Sequence, residues 1–128
     1  MTYKIVEELF YTKSDEWVKV EGDLVTVGIT DYAQDKLGDI VYIEEAAQGN
    51  EVAKEDKVTT IESVKAASDI NAPVSGEIVE VNKNVVKEPA IVNNDPYGKG
   101  WLFKIKINKI EEIKDLLNAK GYEEYRKE

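Results

Sequence analysis

The alternation between Trp17 and Ile29 constrains the fold most. Trp17-Val18-Lys19-Val20-Glu21 and Leu24-Val25-Thr26-Val27-Gly28-Ile29 are β-rich runs with Gly22-Asp23 between them. Such runs around a Gly-Asp pair predict an antiparallel hairpin. The same grammar continues along the chain. Ile40-Val41-Tyr42-Ile43 comes before a Gly49-Asn50 turn, and Val58-Thr59-Thr60-Ile61 follows a polar turn at Lys54-Glu55-Asp56. Pro73-Val74-Ser75-Gly76 turns into Glu77-Ile78-Val79-Glu80-Val81, and the dense turn chemistry of 95–100 leads into a last alternating strand, Trp101–Ile107. Short strands therefore dominate, and the fold class is mainly β.

Two helices are predicted beside them. Asp31, with Gln34 three positions on and Leu37-Gly38 at the end, predicts about two turns over 31–37, a lid or connector outside the core. Asn108, with Glu111 at the third position and Ile110, Ile113, Leu116 and Leu117 on one stripe, predicts a C-terminal helix that Gly121 breaks before a fraying acidic tail. The 128 residues suffice for one domain over 1–128, with its core at about 11–107 and a helical extension at 108–128.

The composition excludes more than it assigns. Without cysteine or histidine there is no thiolate nucleophile, no disulfide, and none of the commonest general bases and metal ligands. A net charge of −9 argues against a nucleic-acid partner. No stretch approaches a membrane span, and the acids in the first ten residues are unlike a targeting peptide, so the expected compartment is the cytoplasm, or the mitochondrion after loss of a presequence. A monomer is expected.

Gly38-Asp39-Ile40-Val41-Tyr42-Ile43 is echoed by Gly76-Glu77-Ile78-Val79-Glu80-Val81. Chance produces such pairs of turn-led strands, but the echo also fits a quasi-twofold β domain joined by the segment between them. Lys65 lies in that segment, within Ile61-Glu62-Ser63-Val64-Lys65-Ala66-Ala67-Ser68-Asp69. Lys19, Lys104 and Lys106 sit in period-two runs that explain them as outward stems. Around Lys65 the period fails, which places it at a tight turn with small neighbours. On these grounds alone it reads as an ordinary solvated lysine, with an accessible amine.

"YTKSDEWVKV", "GDIVYIE", "ESVKAASD", "APVSGEIVEVN" and "NDPYGKGWL", at their spacing, together resemble the glycine cleavage system H-protein family over about Tyr11 to Ile107. The resemblance implies a barrel-sandwich hybrid of the lipoyl/biotinyl type, with lipoic acid in amide linkage on Lys65 at a β-turn tip. Biotin carriers have methionines flanking the lysine, and the lipoyl domains of 2-oxoacid dehydrogenases usually have Asp-Lys-Ala. Here the pair is Val64-Lys65. Glu62, three before the lysine, also matches the family, and Glu62, Val64 and Ala66 become candidates for recognition by a modifying enzyme or partner.

In the family the carrier is not an enzyme. It takes an aminomethyl group from a pyridoxal-phosphate glycine decarboxylase, delivers it to a folate-dependent aminomethyltransferase, and is reoxidised by dihydrolipoyl dehydrogenase. A lipoate ligase or lipoyl/octanoyl transferase loads it. The resemblance further implies that Ser14, Glu16 and Asp69 dock the loaded arm, with Ile29 and Leu37 as apolar cleft residues. Their plain readings are strand-edge, turn and core residues. Two positions depart from the pattern: Asp15, where many members have histidine, and Lys36, where many have histidine or another polar residue. Lys36 could repel the cargo or pair with Asp15. The rival readings are an H-like lipoyl relay donor or sulfur-metabolism carrier, an unmodified acidic interaction module, and a small carboxylate enzyme.

Overall fold

The computed structural model describes residues 3–127. Its strands are β1 (Phe10–Tyr11), β2 (Glu16–Glu21), β3 (Leu24–Ile29), β4 (Ile40–Ile43), β5 (Glu51–Val52), β6 (Lys57–Ser63), β7 (Ala67–Asn71), β8 (Gly76–Val81) and β9 (Phe103–Ile107). Every pairing is antiparallel. One sheet has the order β1-β2-β3-β9-β8-β5 and the other β4-β6-β7. The mainly β expectation holds, and the echoed segments form β4 and β8 in different sheets, with the β6-β7 hairpin between them in sequence.

The alternation read in the sequence becomes the core. Val25, Val27, Ile61, Ile78, Phe103 and Ile105 are buried in one cluster shared by the two sheets. A second cluster gathers Leu9, Tyr11, Trp17, Ala119 and Tyr122. Trp17 faces Gly28 across the β2-β3 pair, and a β-carbon at Gly28 would lie 2.6 Å from the indole ring. Trp17 Nε1 donates to the Pro96 carbonyl at 2.8 Å, so the indole is buried with its one donor satisfied.

Among the described residues four α-helices decorate the sheets: α1 (Asp31–Leu37), α2 (Lys83–Lys87), α3 (Ala90–Asn94) and α4 (Ala119–Tyr125). α1 lies where it was expected and buries none of its residues fully. Its cap is Thr30, whose hydroxyl accepts from Ala33 N–H at 3.2 Å, while Asp31 accepts from the Gln34 side-chain amide at 2.9 Å. α2 and α3 were not foreseen. Each has five residues and one buried valine, Val85 or Val92, too short for an amphipathic period to show.

The C-terminal expectation is half right. Residues 110–115 form a 3-10 helix without a side-chain cap, so Asn108 caps nothing. The stripe ends because Leu116 turns extended and Leu117 exchanges backbone hydrogen bonds with Tyr11 at 2.7 and 2.8 Å. The α-helix starts afresh at Asn118, whose side chain accepts from Gly121 N–H at 2.7 Å. Gly121 thus lies inside α4 instead of ending it. The tail does not fray at Tyr122, which is buried and stacked on Tyr11 with centroids 4.6 Å apart.

Candidate functional site

Lys65 sits at the tip of the β6-β7 hairpin, in the middle of Val64, Lys65 and Ala66, the three residues between the two strands. Ser63 N–H donates to the Ala66 carbonyl at 2.7 Å and closes the turn. The Ser63 hydroxyl accepts from Ala66 N–H at 3.1 Å and from Lys65 N–H at 3.3 Å. None of these tip residues has a positive φ. The turn is therefore not of the primed kind whose twist matches a hairpin, and the serine side chain supplies part of what holds it.

The tip is also held from the side. Val64 N–H donates to the Asp39 carbonyl at 3.0 Å, next to the Ile40–Ser63 pair of β4 and β6. Gly38, which closes α1 with φ 79°, lies beside the lysine stem: a β-carbon there would lie 3.5 Å from Lys65 Cε. The Lys65 side chain is exposed, and its amine has no hydrogen-bond or ion-pair partner among the described residues. The sequence placed Lys65 at a turn tip but did not foresee Gly38 and Asp39 as its supports.

The Thr12–Glu16 segment is a different kind of structure. Glu16 is fully buried, and its carboxylate accepts from Thr12 Oγ1 at 2.6 Å, Ser14 Oγ at 2.7 Å and Asn71 N–H at 3.1 Å. Burial pushes the Glu16 carboxyl above its ordinary range, against the downward pull of those donors. Asp15 adopts φ 72°, and its carbonyl accepts from Thr30 N–H. Its carboxylate meets Arg126 in a fork, 2.7 Å from Nε and 2.6 Å from Nη2, and also accepts from Tyr122 Oη at 2.8 Å. The pairing of Lys36 with Asp15 is not made: Asp15 pairs with Arg126, while the Lys36 amine lies 5.4 Å from the Tyr32 ring centroid. The one arginine among sixteen lysines was the available signal, because only its planar fork makes a bidentate pair.

The remaining dock candidates do not gather in one place. Asp69 is exposed on β7 opposite Thr60, whose hydroxyl donates to it at 3.3 Å. Ser14 is exposed beside Glu16, Ile29 is in the main core, and Leu37 is half-buried against that core. Glu62 and Ala66 are exposed at the hairpin end. A groove of about 630 Å³ contains Ser14, Glu16, Asn71 and Pro73, but not Asp69, Ile29 or Leu37.

Against known proteins, residues 9–128 match the family described as Glycine cleavage H-protein. The chain belongs to that family. It is 55% identical over 120 residues to the glycine cleavage system H protein of Thermus thermophilus, with 94% of each chain covered. The Acinetobacter baumannii protein of that name is 53% identical over 116 residues, covering 91% of this chain and 94% of that one. The crystal structure of a glycine cleavage system H protein from Mycobacterium marinum superposes with a TM-score of 0.86 at 37% identity, over 94% of this chain and 97% of that one. A member of this family is a carrier and not an enzyme, and it works with the other components of the glycine cleavage system. No helix among the described residues is long and apolar enough to cross a membrane.

Proposed function

We infer that Lys65 carries the lipoyl group and that the chain presents this arm in turn to the decarboxylase, the aminomethyltransferase and dihydrolipoyl dehydrogenase. The observation that carries the reading is the exposed, unpartnered amine at the end of a hairpin held by Ser63 and Asp39. Such an amine can enter an enzyme that the body of the protein cannot. The lipoyl dithiolane, once attached, supplies the sulfur chemistry that a chain without cysteine lacks.

Reach separates the dock candidates. A lysine stem extended by a lipoyl chain spans about 14 Å. Four residues of strand, from the tip back to Asp69, span about 13 Å, and six, to Asn71 beside Glu16, about 20 Å. Asp69 is thus the carboxylate we assign to an ammonium on the retracted arm. It is exposed, and among the described residues only the Thr60 hydroxyl donates to it. Glu16 already accepts three hydrogen bonds, and we assign it to hold Ser14 and the end of β7 in place. Ile29, in the main core, and Leu37, at the end of α1 and packed against that core, we assign to the apolar side of the cleft. A lipoate ligase or lipoyl/octanoyl transferase is the enzyme class that loads Lys65.

Intact mass of the native protein and of Lys65→Arg tests the attachment. A lipoyl increment is expected on the native chain and none on Lys65→Arg, which keeps the charge but offers no acylable amine. Lipoylation persisting at another lysine would overturn the assignment.

A further inference from the structure

β4 carries an irregularity that the core does not need. Its residues run buried, exposed, exposed, buried, and the pairing with β6 shifts between Ile40 and Tyr42. A regular strand alternates faces, so one of Val41 and Tyr42 would point inward. The bulge spends one extra residue and turns both outward at an edge of the three-stranded sheet. Val41 is 56% exposed and Tyr42 50%. Val64, at the hairpin tip, is 71% exposed, and its N–H is bonded to Asp39 two residues before Val41. Three of the five large exposed apolar side chains among the described residues thus lie around Lys65. Scattered exposed apolar residues need no explanation, whereas a cluster built by a bulge does.

The rim of this patch has one sign. Tyr42 pairs with Glu62 across β4 and β6, which sets a carboxylate directly beside the exposed ring. Asp39, Glu44, Glu45 and Glu62 are exposed along its border. The complementary partner has an apolar hollow edged with lysine or arginine.

We propose that Val41, Tyr42 and Val64 form the docking face for the enzyme that attaches the acyl group to Lys65. The proposal rests on the reading of Lys65 as the attachment lysine and names the surface that enzyme grips. Length selects this occupant over the later partners. Before attachment, the amine stands only about 6 Å from its own Cα, against about 14 Å for the loaded arm. The attaching enzyme must therefore press against the side chains beside the tip, while later partners can stand farther off. In the step itself the Lys65 amine attacks the carbonyl carbon of an activated lipoyl ester or anhydride. The N–C bond forms, the bond to the donor's leaving group breaks, and the amine gives up one proton. No electrons are exchanged with an external oxidant or reductant.

The test compares two rates on the Val41→Ser/Tyr42→Ser double variant and on Val64→Ser alone. The first is attachment to the unmodified chain by the ligase at limiting chain concentration, read by intact mass. The second is aminomethyl acceptance from the decarboxylase, by chain brought to complete modification with excess ligase. Attachment is expected to fall about tenfold in the double variant and by a smaller factor in Val64→Ser, with aminomethyl acceptance kept within about twofold. Attachment unchanged in both variants would overturn the proposal, and so would an equal loss in both steps, which would give the face to the decarboxylase. Circular dichroism melting separates either result from misfolding, and the tip variant keeps the test open should the double variant melt early. Persistence of the increment in Lys65→Arg would instead remove the attachment reading, whatever the patch variants do.

Discussion

The two ends of the β6-β7 hairpin are built for opposite purposes. At the Lys65 end a short turn is held by one serine hydroxyl, its own closing backbone bond and one lateral backbone bond, with its charged and apolar side chains in solvent. At the Asn71 end a fully buried glutamate ties the Thr12–Glu16 segment to the end of β7. A few ångströms along the chain from it, Asp15 is forked to Arg126 and bonded to Tyr122. α1 joins the two ends: Thr30 at its start is bonded to Asp15, and Gly38 at its close lies against the lysine stem. Seven helical residues give a strut of about 11 Å. The contrast teaches that a carrier needs a loose presenting end only if the other end fixes where that end is.

The comparison breaks first if the buried end proves dispensable. Glu16→Ala leaves the Thr12 and Ser14 hydroxyls and the Asn71 amide without their acceptor, and the loss should be about 3 kcal/mol. Urea unfolding measures it, and a loss below 1 kcal/mol would mean that water or Asp15 replaces the carboxylate freely. Arg126→Ala should cost about 2 kcal/mol, because a bidentate, charge-assisted pair is lost and Asp15 stays partly buried. Here a drop in protection of the α4 amides in hydrogen exchange, with the β6-β7 amides unaffected, would show that the clasp acts at its own end.

The strands, the 31–37 helix and the lysine at a turn tip were legible in the sequence, because each rests on spacing within a dozen residues. What stayed hidden depends on partners far apart in the chain. Leu117 leaves its helical stripe because Tyr11 pairs with it across the fold, and Asn118 rather than Asn108 becomes the cap once that has happened. Asp15 and Arg126 are 111 residues apart, so no local pattern could join them. The β4 bulge was equally invisible: Ile40-Val41-Tyr42-Ile43 reads as a plain apolar run, and only the register with β6 shows that its middle pair faces solvent. The glycine cleavage family itself was legible, since its motifs are local blocks at fixed spacing.

The buried end should also respond to pH. Burial raises the folded-state pKa of Glu16 above its ordinary value of 4.5, so between those two values the folded chain holds more protons than the unfolded one. This contribution to stability is therefore fully present below about pH 4.5 and is lost as pH rises through the higher folded-state value. Glu16→Gln removes the titration, and the difference in urea midpoint between the two proteins should move in the variant's favour as pH rises through that window. A difference that stays flat with pH would place Glu16 at an ordinary pKa and make its three donors the stronger influence.

At the presenting end the effects should be small in energy and visible only locally. Ser63→Ala removes the acceptor for the Lys65 and Ala66 amides, both of which can turn to water at an exposed tip. The global cost is expected at about 0.5–1 kcal/mol, since these groups are not left stranded in the core. Hydrogen exchange at Lys65 and Ala66 should quicken by much more than the shift in global stability accounts for, because the opening involves the turn alone. Equal changes in local and global protection would mean that the tip unfolds only with the whole sheet. The lysine would then be presented by a rigid edge, and the difference between the two ends of the hairpin would be one of exposure and not of stability.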